Sequence, residues 1–276
     1  DIENDNDEMF IISFSKLIKN SLKKENYIFF LKKVFSILKH NINTVSTKGA
    51  LLITQLILNA NDYLSSSSIS IVDDFISTLD TILTYHPDID ILHPPSSLSY
   101  LISIISSLSK INLDVLLSSL LNESYGLTFS PTATLITLNL CDDKATISKV
   151  FTKITDIINN SDPGISERPN ITVSRSTVIL GTMLSSNTAT ITPLIKKFIP
   201  QLLSTLLLRI GSVHSISYTV DQFKSKEEDP RNQTVWAMQK LMDYCTQEEL
   251  KSSLGSDGSI VKKIMNTNEY DEGVYE

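Results

Sequence analysis

Apolar residues recur at spacings of three and four along most of the chain, and this period is the strongest constraint on the fold. A period near 3.6 places apolar side chains on one face of an α-helix and leaves polar side chains on the other. No convincing run of strict apolar–polar alternation predicts a β-sheet. The pattern is clearest between positions 26 and 42, where apolar residues recur at three and four: Tyr27, Ile28, Leu31, Val34, Phe35, Leu38 and Ile42.

The same period predicts further amphipathic helices, joined by short segments of Ser, Asn, Asp, Pro or Gly. With only 8 Gly and 9 Pro, the chain has too few turn-forming residues for the many tight turns of an all-β protein. We therefore predict an all-α protein. Its further helices are expected over residues 9–19, 48–64, 69–85, 97–108, 113–121, 133–140, 147–158, 171–185, 193–210 and 229–242.

The length of 276 residues exceeds the usual size of a single compact domain. A helix hairpin of about 40 residues cannot bury its apolar face alone, so hairpins of this kind stack into elongated arrays. We predict a HEAT/armadillo-type α-solenoid of stacked antiparallel helix pairs. It is expected to form one solenoid of about six HEAT-like repeats over residues 9–267. A disordered acidic segment, 1–8, is expected before it, and a flexible tail, 268–276, after it.

Residues 171–254 resemble HEAT repeats. The resemblance rests on Val173 beside Arg175, on Leu180-Gly181, and on the stretch from Ala237 to Leu241. The stretch Pro193 to Gly211, which ends Leu-Leu-Leu-Arg-Ile-Gly, is similar to the Maestro heat-like repeat family. This resemblance implies a HEAT-repeat segment of a larger cytosolic protein, linked to endolysosomal trafficking and actin regulation. It identifies no individual partner.

Charge and hydropathy exclude several classes of function. The formal net charge is −7, from 24 Lys plus Arg against 31 Asp plus Glu, so the chain as a whole lacks the positive field that attracts nucleic acid. No stretch approaches the roughly 18 apolar residues of a membrane span. An acidic beginning is also unlike a signal peptide. We expect a cytoplasmic protein, peripheral to endolysosomal membranes if the family resemblance holds.

No motif for catalysis, cofactor binding or a metal stands out. His86, Asp88, Asp90 and His93 form the nearest approach to a metal-ligand cluster, but their spacing matches no known motif and the neighbouring prolines favour a loop. Cys141 precedes two aspartates outside any nucleophile-elbow context. Cys141 and Cys245 fit neither a disulfide framework nor a zinc site and are interpreted as buried thiols. We predict a non-enzymatic protein without a cofactor.

The chain has one pronounced local charge asymmetry, which we call the basic region. Glu25 is the only acid between positions 16 and 39. This region could attract an acidic protein segment or an anionic membrane surface. The simpler alternative is an ordinary solvated face. The region contains seven lysines: Lys16, Lys19, Lys23, Lys24, Lys32, Lys33 and Lys39.

Two further features have a structural and a functional interpretation. Trp236, Met238 and Met242 are typical of a partner-binding hot spot, but their helical spacing favours packing between repeats. The long polar loop from Ser212 to Pro230 is expected to be mobile. The sequence thus favours a protein–protein interaction scaffold with partners of unknown identity. The alternative is a peripheral membrane module that binds anionic lipid through the basic region.

Overall fold

The computed structural model describes residues 2–38, 47–64, 68–85, 99–122, 131–162, 164–165, 168–186, 188–214, 216 and 228–245. These residues form α-helices and one hairpin of two-residue strands, so the all-α prediction is confirmed. The helices are α1 (Ile2–Ser21), α2 (Lys24–Leu38), α3 (Thr47–Asn59), α4 (Asn61–Leu64), α5 (Ser68–Tyr85), α6 (Ser99–Leu120), α7 (Pro131–Asn139), α8 (Lys144–Asn160), α9 (Ile171–Ser185), α10 (Thr192–His214) and α11 (Pro230–Met242).

Helix α1 starts earlier than the apolar period predicts. It begins at Ile2, so it includes most of the acidic segment that was expected to be disordered. Lys19 lies in the last turn of α1, where a cation interacts favourably with the negative end of the helix dipole. The apolar period starts only at Met9, so it could not predict the part of the helix that precedes this residue. The predicted tail 268–276 lies outside the described residues.

Helix α6 contains a break where the sequence predicts a boundary between two helices. Asn112 has φ −154° and ψ 79°, outside the helical region, although the chain on both sides is helical. The Asn112 Oδ1 accepts the backbone N–H of Val115 at 3.1 Å. This is the geometry of an N-cap, which satisfies one free amide of a new first turn. The predicted helices 97–108 and 113–121 therefore correspond to the two parts of α6.

Serine and threonine are frequent inside the helices, although their side chains compete with the backbone for hydrogen bonds. In many of these helices the hydroxyl donates to the carbonyl four residues earlier: Thr78 to Asp74 at 2.7 Å, and Thr155 to Phe151 at 2.8 Å. Ser176 and Thr177 on α9 make the same bond to Thr172 and Val173. These bonds satisfy hydroxyls that would otherwise be costly to bury.

The described residues fall into two compact units, and each is described by itself. Residues 2–122 and 131–140 form the first unit, and residues 141–245 belong to the second. Within the first unit, alternate helices pack together: α1 against α3 and α3 against α6, and likewise α2 against α5 and α5 against α7. Additional contacts join α2 to α3, α5 to α6 and α6 to α7. The buried side chains include Tyr27, Phe35, Leu56 and Phe75.

The second unit repeats this arrangement with four helices. Helix α8 packs against α10 and α9 against α11, while α8 also contacts α9 and α10 contacts α11. Phe151 and Phe198 meet edge to face, with ring centroids 5.6 Å apart, between α8 and α10. Asn159 and Gln201 join the same two helices through the hydroxyls of Thr205 and Thr155, at 3.1 and 2.8 Å.

A short hairpin and a cap set the start of α9. Gly164 and Ile165 pair antiparallel with Arg168 and Pro169. Gly164 has a φ of 102°, which a side chain would strain, and its N–H donates to the Asp162 carboxylate at 2.9 Å. The Asn170 Oδ1 then accepts the N–H of Val173 at 3.2 Å and caps α9.

Helices α9 and α11 are in close contact at Gly181. A Cβ at this position would lie 2.6 Å from Cε3 of Trp236 and closer still to Cζ3 of the same ring. Because Gly181 has no side chain, α9 leaves space at this position for the indole of Trp236. Met238 and Leu241, which follow Trp236 on α11, are fully buried. The predicted packing of this segment in the core fits Met238, which is fully buried, whereas Trp236 and Met242 are half-buried.

We predict that Gly181→Ala destabilises the second unit by about 1–3 kcal/mol, the usual cost of overpacking a core. Trp236 is the only tryptophan, so its fluorescence during urea unfolding measures the loss directly. Gly211→Ala on α10 is the matched control, because it makes the same change within a helix at a half-exposed position. The control should be neutral or stabilising by about 0.5–1 kcal/mol. Equal effects of the two substitutions would contradict the packing argument.

Candidate functional site

The basic region was the main candidate site from sequence, and the structure divides its lysines into different environments. Lys19, near the end of α1, reaches the exposed carboxylate of Asp62, with Nζ–O distances of 2.6 and 2.7 Å. The same Nζ lies 4.3 Å from the centre of the Tyr63 ring. Lys19 therefore holds the start of α4 against α1 and is partly occupied by a structural contact.

Lys32, on α2, forms a second ion pair across helices. Its Nζ lies 2.6 Å from Oδ2 of Asp74 on α5. Both side chains are partly exposed, and ion pairs of this kind contribute little stability, on the order of 0–1 kcal/mol. Their main effect is to neutralise part of the positive charge of the basic region, because Lys19 and Lys32 each lie beside a carboxylate of the same chain.

The other described lysines of the basic region differ in how far they are exposed to solvent. Lys16 on α1 and Lys33 on α2 are exposed, and so is Lys23 in the turn between these helices. The Nζ of Lys33 lies 5.4 Å from the centre of the Phe29 ring, which is itself 63% exposed. Lys24 begins α2 and is half-buried. Lys39 lies outside the described residues.

Helix α1 carries a second candidate surface that the sequence did not single out. Phe10, Phe14 and Leu17 follow one another at spacings of four and three, and they are 66%, 39% and 61% exposed. Met9 is 69% exposed. The rings of Phe10 and Phe14 stack with centroids 5.8 Å apart and planes inclined by 8°. We call these four residues the α1 apolar surface.

The opposite side of α1 faces α3. Ile11 and Ser15 are buried there, and the Ser15 hydroxyl accepts a hydrogen bond of 2.8 Å from the side-chain amide of Asn59. Helix α1 thus has apolar residues on two faces. In the described part of the chain, α3 covers one of them, and the α1 apolar surface is exposed. Large apolar residues at helical spacing usually face inward, so the period alone could not reveal that the second face is exposed.

The second unit has a cleft of about 540 Å³ near the end of α9, the start of α10 and the end of α11. Lys196 and Lys240 line it, but Lys240 lies 4.0 Å from Asp243, which lines it too. The Tyr244 hydroxyl donates to the carbonyl of Leu184 at 2.8 Å. Positive and negative groups are mixed in this cleft, and they define no single ligand chemistry.

The two cysteines differ in environment. Cys141 is fully buried in a short 3₁₀ turn after α7, and burial raises the pKa of its thiol to about 12. Such a thiol is a poor nucleophile, since the thiolate is the reactive form. Cys245 is half-buried and not fully buried as predicted: it follows α11 and lines the cleft.

The described residues contain no group of three or more His, Cys, Asp or Glu placed to hold a metal ion. The His86–His93 cluster lies outside them, as does most of the predicted loop between Ser212 and Pro230. In the described part of the chain, no helix is both long enough and apolar enough to cross a membrane.

Comparison with known proteins gives no relative for this arrangement. No family model, curated protein or solved structure matches the chain.

We predict that Lys19 keeps the Asp62 carboxyl ionised in acid. The Lys19 hydrogen bond lowers the pKa of Asp62 from its ordinary value of 3.8. Because the folded-state pKa is depressed, the stabilisation is present above the ordinary value and is lost as the pH falls through the folded value. In Lys19→Met, a carboxyl NMR titration should show the pKa of Asp62 moving back towards 3.8.

Lys16→Met is the matched control, because Lys16 lies on the same helix and is exposed. This substitution should leave the Asp62 titration nearly unchanged. An ordinary pKa for Asp62 in the unsubstituted chain would show that the ion pair does not persist in solution.

Proposed function

We propose that this chain is a non-enzymatic, HEAT-like interaction scaffold that binds other proteins through its exposed helical surfaces. The observation that supports it best is the packing of alternate helices within each unit. In a stack of helix pairs, the first helix of each pair packs on the first helix of the next, and the second on the second. The contacts α1–α3–α6 and α2–α5–α7 follow this order in the first unit, and α8–α10 and α9–α11 follow it in the second.

The order of contacts also bears on how such a protein works. Each pair in a stack buries its apolar face against its neighbours, and the remaining faces form long solvent-exposed surfaces. Function then depends on the side chains at these surfaces and not on a central pocket. A stack of this kind agrees with the resemblance of residues 171–254 to HEAT repeats. The proposed cellular setting, in endolysosomal trafficking and actin regulation, rests on the Maestro-type resemblance alone.

The exposed lysines of the basic region suit an acidic segment of a partner protein. Lys16, Lys23 and Lys33 are all exposed, so a partner can reach their ammonium groups. Exposed charges of one sign attract an oppositely charged partner and increase its association rate. We therefore assign the partner contact to these three lysines.

Affinity capture with the immobilised 276-residue chain tests this assignment. The triple variant Lys16→Glu, Lys23→Glu, Lys33→Glu should lose partners that the unsubstituted chain retains. The effect should be about tenfold or more in Kd for an isolated partner, and weaker at high salt because salt screens exposed charges.

The matched control is Lys144→Glu, Lys149→Glu, Lys197→Glu. It makes the same change in net charge at three exposed lysines of the second unit. The control should retain the partners. If both triple variants lose them equally, net charge and not the basic region governs binding. If no saturable protein binding is found, the scaffold proposal fails.

A second candidate function is a peripheral membrane module that binds anionic lipid through the basic region. Phe29 favours it, because this exposed ring lies beside Lys33, and aromatic rings next to lysines suit a membrane–water interface. The ion pairs of Lys19 and Lys32 reduce the charge available to such a surface. The scaffold is therefore the better supported of the two.

Sedimentation with vesicles tests the membrane candidate. Vesicles that contain phosphatidylserine should carry the chain down at low salt, and Phe29→Ser with Lys33→Glu should abolish this. Leu208→Ser with Lys197→Glu is the control, since it removes an exposed apolar side chain and a lysine from α10. Equal sedimentation with neutral vesicles would contradict a role for lipid charge.

A further inference from the structure

We draw no further inference here: the strongest candidate, the α1 apolar surface of Met9, Phe10, Phe14 and Leu17, is exposed on a helix that packs against α3 with its other face, and nothing in the described part of the chain shows what covers it.

Discussion

If the one-turn helix α4 is left aside, the burial of an apolar face of a helix against the next helix but one of its own unit is the constraint on which the rest of this structure depends. Helices shorter than about 12–15 residues are marginal in water, and longer ones gain most of their stability from tertiary contacts. Here α3 and α11 have 13 residues each and α7 has 9. Such helices persist because alternate neighbours cover Leu56, Ile136 and Met238 from solvent.

This constraint explains why the sequence predicts the positions of the helices well but does not predict which of their apolar faces are covered by other helices. The start and end of α9 were predicted at the observed residues, because a capping Asn170 precedes the helix and polar residues follow it. Periodicity is a local property, and it reports which faces are apolar. It does not report how many of those faces find a partner. Helix α1 has two apolar faces, and only the fold shows that Phe10 and Phe14 belong to the uncovered one.

The basic region shows the same limit for charge. Seven lysines are close in sequence, but their environments depend on residues more than 40 positions away: Asp62 is 43 residues from Lys19, and Asp74 is 42 residues from Lys32. The distance between two charges decides whether they interact, and the sequence contains no information on that distance before the fold is known. The region is therefore partly a set of contacts between helices and partly an exposed surface.

The two units also differ in the kinds of side chain that are buried in their interiors. In the first unit the ion pairs of Lys19 and Lys32 lie at the surface, and the interior is mainly aliphatic and aromatic. In the second unit Arg175 and Arg209 are each only 2% exposed, and Arg209 Nη2 lies 3.5 Å from the Ser174 hydroxyl.

Burying an arginine side chain costs free energy because its charge leaves water. A buried arginine often contributes to the specificity of packing and not to net stability. Gly181 imposes a comparable restriction, since Trp236 fits only where no side chain projects from α9. Apolar side chains of similar size can replace one another in a core, but neither a buried guanidinium nor a glycine beside an indole has a substitute. The packing of α9 against its neighbours therefore depends strongly on a few residues that a side chain of similar size cannot replace.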